Sequence, residues 1–236
     1  MTLLNVRTGG LLLLLMVFLC SCESTTPQHS EVFILIDQTG SFIQEDVNAE
    51  KTVDFIISKT QTDLSQLTKN SFDLTIYPLT DLEHNKRIQL QLPKGQGMMN
   101  EIKKKRLEAQ QAFRGNIVAG INMMKSDTDI KYGSQLVKPL CERLHLLGRK
   151  TADRKLVVLF SDLFEYNKHA SFYKGSIEQI KKKLDKQCDC GDLTGIEVYC
   201  IYQTDSETDE QFGVVRKAFQ AFIEDANGSF SYLPNL

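Results

Sequence analysis

Residues 31 to 41 read Glu31-Val32-Phe33-Ile34-Leu35-Ile36-Asp37-Gln38-Thr39-Gly40-Ser41, and the fold is decided there. Its apolar run, Val32 to Ile36, has no polar alternation. That pattern predicts a strand buried on both faces, as in a parallel sheet covered by helices. The run stops at a carboxylate and turns through Gly40 into a capping pattern. Ser41 is followed three residues later by Gln44, with Glu45 and Asp46 in the expected first turn. Strand, tight loop and helix together predict the opening unit of an α/β domain. The helix is expected from Ser41 to about Leu67, with Val47, Phe55, Ile56 and Ile57 on its apolar side.

Working outward, Lys155-Leu-Val-Val-Leu-Phe-Ser-Asp162 repeats the buried-strand character, and Ile196 to Tyr202 does so again. Ser71 to Leu79 alternates through Phe72, Leu74 and Ile76, and Ile88 to Leu92 alternates a short polar turn later, which predicts a hairpin at one sheet edge. Helices are expected over 98–124, with Arg114-Gly115 as a candidate break, and over 134–147, with Leu136, Leu140, Leu144 and Leu147 on one face. Two more are expected over 173–187 and 208–224, before a last strand at Ser229 to Leu233. This order predicts a three-layer α/β/α sandwich around a doubly wound, mostly parallel sheet with one antiparallel edge strand.

The chain has 236 residues, with 28 Lys+Arg against 30 Asp+Glu, 42% hydrophobic and 25% charged. That balance excludes a disordered acidic chain and a basic nucleic-acid binder. At the start, Arg7 and Gly9-Gly10 precede an apolar run from Leu11 to Cys20, enough for a signal-peptide core and too short to span a bilayer. The following Leu19-Cys20-Ser21-Cys22 resembles the lipobox of bacterial lipoproteins, which implies cleavage after Ser21 and lipidation of Cys22; a plain secretory signal is the alternative. The expected organisation is a signal over 1–21, a lipidated Cys22 with a polar tether to residue 30, and one domain over 31–236. Removing 1–21, whose single charge is Arg7, moves the formal balance from −2 to −3. The implied location is a bacterial cell envelope, with the domain lipid-anchored on a periplasmic or surface face.

Ligands of open α/β sheets bind at the carboxyl ends of the strands, and two strands here end in Asp37 and Asp162. Asp37, Thr39 and Ser41 place a carboxylate and two hydroxyls at alternate positions of one turn. Such oxygen donors suit a hard divalent cation. Here the sequence resembles the von Willebrand factor A family, whose metal-ion-dependent adhesion site carries a D-x-S-x-S motif after its first strand. Asp37, Thr39 and Ser41 match that motif, with Thr in the first Ser position, and Asp162 matches the family's last ligand. Ser134, in Gly133-Ser134 before a helix, stands for the second-loop hydroxyl, with Thr128 or Asp129 as alternatives. The resemblance spans Val32 to Leu233. It implies a bound Mg²⁺, or Mn²⁺ or Ca²⁺, whose open position takes an Asp or Glu from a protein partner without catalysis. One departure is Leu163, where the family often has Gly after its Asp. Asp37-Gln-Thr-Gly-Ser41 also resembles the aspartyl-phosphate loop of haloacid-dehalogenase-like enzymes, but no clear counterpart of their later Lys is present, and Asp162 with Glu165 only imitates their acidic pair. A metal-free scaffold of the same fold is the third reading.

Four cysteines follow the tether: Cys141, Cys188, Cys190 and Cys200. A local disulfide among Cys188, Cys190 and Cys200 is the expected bridge, with Cys141 and Cys200 alternatively core thiols. A metal site there is disfavoured because no His is near in sequence. His145 reads as a partner of a helix end, and the runs Lys103 to Arg106 and Lys181 to Lys183 read as solvated faces, the first with anionic lipid headgroups as an alternative.

Overall fold

A computed structural model describes residues 26–38, 47–79, 87–96, 100–126, 135–165, 171–202 and 209–236. Its first half contains β1 (His29–Asp37), α1 (Ala49–Thr60), β2 (Ser71–Leu79), β3 (Ile88–Leu92), α2 (Asn100–Ser126) and α3 (Val137–Gly148). The second half contains β4 (Arg154–Phe160), α4 (Ile177–Gln187), β5 (Ile196–Ile201), α5 (Asp209–Asp225) and β6 (Ser229–Leu233). The six strands form one sheet in the order β3-β2-β1-β4-β5-β6. All neighbours are parallel except β2 and β3, which pair antiparallel at the edge. The arrangement is the Rossmann-like α/β fold expected from the strand patterns.

The apolar run of β1 occupies the centre, and Val32 to Ile36 are at most 1% exposed. Burying each such side chain contributes roughly 1.5–3 kcal/mol. Helices cover both faces. Ile76 of β2 meets α2, since a Cβ built on Gly120 would lie 2.8 Å from the Ile76 Cδ1. Its neighbour Tyr77 points the opposite way, where the Arg143 guanidinium of α3 stacks 4.2 Å from its ring centroid. On the α2 side, Arg114 bonds Glu50 and Asp54 of α1, both at 2.8 Å. On the α3 side, Lys181 of α4 reaches Asp225 of α5 at 2.8 Å. Among the described residues no helix is long and apolar enough to cross a membrane.

Several element boundaries differ from expectation. The helix expected to run unbroken from Ser41 is interrupted at Asn48, which is extended and whose side chain accepts the Lys51 N–H as N-cap of α1. Ser41 itself lies outside the described residues. α1 ends at Thr60 rather than Leu67, where Gln61 takes φ 52 and its N–H bonds the Ile57 and Ser58 carbonyls. The expected break at Arg114-Gly115 is absent, and α2 is one helix of 27 residues. Gly115 only lowers helix propensity there, by roughly 1 kcal/mol, and the Arg114 ion pairs hold the segment against α1. α4 starts at Ile177 rather than 173, set by a Ser176–Gln179 capping box. The basic run of α2 is divided: the Arg106 guanidinium bonds the carbonyls of Thr68, Asn70 and Pro93, and its burial lowers its pKa.

Candidate functional site

The strand order reverses between β1 and β4, and a crevice opens at such a reversal, beyond the carboxyl ends of the two strands. Ile36 of β1 pairs with Phe160 of β4, so the next residues, Asp37 and Ser161, face each other. The Ser161 hydroxyl donates to Asp37 Oδ2 at 2.7 Å and accepts the Leu163 N–H at 3.0 Å. Asp162 Oδ1 accepts the Phe164 N–H at 2.9 Å. Asp37 and Asp162 are each 1% exposed. The two carboxylates singled out from the sequence thus stand at the ends of adjacent strands, and both are buried. Charge buried this deeply is destabilising unless it is compensated by hydrogen bonds, counter-charge or a metal.

Leu163 carries the departure from the adhesion-site pattern. Its φ is 61, in the left-handed region that favours Gly, and its side chain is fully buried. The backbone therefore adopts a glycine-like turn after Asp162 although the residue is Leu.

Two side chains fasten the neighbouring loops. Gln38, next to Asp37, donates through Nε2 to the Met124 carbonyl at 3.1 Å near the end of α2. Glu165 is 1% exposed, and its Oε2 accepts the N–H groups of Val137 at 2.7 Å and Leu136 at 3.2 Å. α3 has no side-chain cap of its own. Glu165 caps it from another loop, with a negative charge at the positive end of the helix. Residues on both sides of the stretch 127–134 are thus tied to the loops bearing Asp37 and Asp162. Thr39, Ser41, Ser134, Thr128 and Asp129 lie outside the described residues. The capping role of Glu165 has no local signal, since cap and helix are separated by 28 residues.

An all-oxygen donor set of two buried carboxylates fits a hard divalent cation and offers nothing to a thiophilic one. Sulfur gathers elsewhere. Cys141 of α3 is disulfide-bonded to Cys188 at the end of α4, with Cα atoms 6.3 Å apart. Cys190 remains a thiol, and burial, with Asp189 nearby, pushes its pKa up to about 12. The structure does not bring Cys200 into this group. It is a fully buried thiol in β5 that donates to the Ser161 carbonyl at 3.6 Å, and burial raises its pKa. The sequence grouping of Cys188, Cys190 and Cys200 therefore misplaced Cys200 and omitted Cys141, which is 47 residues from its partner. Cys22 lies outside the described residues.

A further acidic group, His29, Glu31 and Asp73, sits at the opposite end of β1. Glu31 is explained by Lys150 at 3.0 Å, a contact that raises the lysine pKa.

No protein-family model and no curated protein matches the sequence. Solved structures match over most of the chain. Conserved hypothetical protein BatB from Bacteroides thetaiotaomicron is 12% identical, covering 88% of this chain and 91% of its own at a TM-score of 0.38. An aerotolerance-related membrane protein from Bacteroides fragilis is 12% identical, covering 86% and 91% at 0.34. The pilus adhesin SpaC from Lactobacillus rhamnosus GG is 12% identical at 0.42, and the match spans 90% of this chain but 29% of the adhesin. These similarities are too distant to carry a functional argument, and the fold assignment rests on the strand order and register themselves.

Proposed function

We propose that this chain is a non-catalytic binding domain of the von Willebrand factor A type, lipid-anchored at Cys22 in a bacterial envelope. It captures an acidic side chain of a protein partner through a divalent cation, Mg²⁺ foremost. The observation that carries this reading is the pair of buried carboxylates, Asp37 and Asp162, at the reversal between β1 and β4, where the Ser161 hydroxyl beside Asp162 donates to Asp37 at 2.7 Å. Thr39 and Ser41 follow Asp37 in sequence, and Ser134 precedes the helix that Glu165 caps, so the proposed ligands are these three hydroxyls and the two Asp. The ion would supply positive charge at an open position for a partner's Asp or Glu. The glycine-like backbone at Leu163 supports the reading, because it keeps the turn that the family's Gly would make.

The test is capture from solubilised envelope membranes. Wild type is expected to retain a partner in Mg²⁺ and release it in EDTA, and Asp37→Ala to retain none in either. Retention that ignores both EDTA and Asp37→Ala sinks the metal-dependent reading and favours the metal-free scaffold. The anchor is tested separately: wild type should partition into detergent, and Cys22→Ala should not.

A further inference from the structure

Three sulfurs converge where α3 meets the loop after α4, and the exposed His145 imidazole lies against the same loop. The Cys190 Sγ lies 2.7 Å from that of Cys141 and 3.5 Å from that of Cys188. All three sulfurs fall within 4.8 Å of one another. Cys188 and Cys190 come from one short loop, and Cys141 comes from the helix. His145 follows Cys141 by one helical turn and so stands on the same face. Its ring lies against that loop: a Cβ built on Gly191 would be 3.5 Å from the His145 Nδ1. Cys141, His145 and Cys188 line one open cavity of about 460 Å³. A disulfide accounts for two of these four side chains and leaves a buried third sulfur, with the His145 imidazole on the cavity wall as a further donor.

We infer that in the reduced protein Cys141, Cys188, Cys190 and His145 form a binding site for a thiophilic divalent cation, Zn²⁺ above all. Three thiolates and one imidazole are a structural zinc donor set, and bonds of about 2.3 Å around a tetrahedral ion hold sulfurs about 3.8 Å apart, within reach of the spacing here. Soft sulfur donors select against Mg²⁺, so this site is chemically separate from the oxygen site at Asp37 and Asp162 and independent of the function proposed for it. Zinc with three thiolates carries one net negative charge. The cavity wall balances it, with Lys138, Arg143 and Arg149 against Glu142 and Asp189. The metal and the disulfide are alternative crosslinks between α3 and the α4 loop. A phosphine reductant converts the disulfide to two thiols and is itself oxidised to the phosphine oxide with oxygen from water. Zn²⁺ then displaces the protons of three thiols and takes a neutral His145 as its fourth ligand.

The full chain is reduced with a phosphine, freed of reductant and metal without air, and titrated with Zn²⁺ and with Co²⁺. The expected result is one equivalent bound per chain, with intense visible bands and thiolate-to-cobalt charge transfer in the Co²⁺ form, and protection of Cys141, Cys188 and Cys190 from alkylation by Zn²⁺. Cys190→Ser keeps the Cys141–Cys188 bond, so its fold can be verified by circular dichroism before reduction. Loss of an outer-shell partner already weakens zinc sites by 10–100-fold, so this ligand variant should bind more than about 100-fold weaker. His145→Ala should bind more weakly and shift the Co²⁺ bands. Absence of stoichiometric uptake by reduced wild type, or equal affinity in Cys190→Ser, overturns the inference and leaves only a disulfide beside a buried thiol.

Discussion

Leu163 shows how a single residue can depart from a pattern while the backbone keeps it. A non-glycine residue in the left-handed region is strained by roughly 1–2 kcal/mol, and this one persists because its side chain is fully buried. Two opposed effects then decide what substitution does. Leu163→Ala removes the packing, worth about 2–5 kcal/mol in a core, and keeps the strain. Leu163→Gly removes the packing and relieves the strain, against a glycine entropy penalty of roughly 0.5–1 kcal/mol. The Gly variant should therefore be less destabilised than the Ala variant, by about 0.5–1 kcal/mol, inverting their usual order. Urea unfolding of the two variants measures this, and an Ala variant as stable as the Gly variant would show that φ 61 carries no strain. The Asp at each strand end was legible in the sequence because a strand's apolar run has a visible end. Glu165 and the Cys141–Cys188 pairing were not, because their partners meet only once the sheet has formed.

At the scale of elements, period and run length carried the strands, and competing local signals misplaced the helix boundaries. β1, β4 and β5 were readable because a strand buried on both faces has no polar interruption. The uninterrupted helix expected from Ser41 is broken at Asn48, whose extended backbone and side-chain cap on Lys51 carry no signal in the helical periodicity. The break expected in α2 failed for a reason that can be tested. Gly115 is exposed with nothing within 4 Å of a built Cβ, whereas Gly120 is buried with the Ile76 Cδ1 at 2.8 Å and the Ile88 Cγ2 at 3.4 Å. Gly115 is thus a tolerated weakness in the helix, and Gly120 is the position where α2 approaches the β2–β3 hairpin. Gly115→Ala should stabilise the protein by about 0.5–1 kcal/mol. Gly120→Val should destabilise it by about 1–3 kcal/mol through overpacking. Both are read from denaturant midpoints at constant slope. A destabilising Gly115→Ala would mean that the glycine has a role beyond propensity.

Across the whole molecule, one sheet reversal and two long-range ties bring the described ends of β1 and β4, the end of α2 and the start of α3 to one end of the domain. Gln38 fastens the β1 loop to the end of α2, and Glu165 fastens the β4 loop to the start of α3. If the function proposed for this end is right, the ion is a ligand of the folded state alone, and stabilises it by about 2.7 kcal/mol at a hundred times its dissociation constant. For a domain of this size that is a rise in melting temperature of about 5–10 °C, abolished by EDTA and by Asp37→Asn. Glu165 is not a proposed ligand, yet its charge holds the first turn of α3 three residues beyond Ser134. Glu165→Ala should weaken the fold in EDTA by about 1.5–3 kcal/mol, since it removes two hydrogen bonds to a charged, buried acceptor. A purely structural role would stop there. A positioning role predicts in addition that the Mg²⁺-induced rise itself shrinks at fixed Mg²⁺, and that Glu165→Gln, which keeps an acceptor, recovers part of it. An undiminished rise in Glu165→Ala would separate the second loop from the ion and leave Asp37, Asp162 and the first loop to hold it without Ser134.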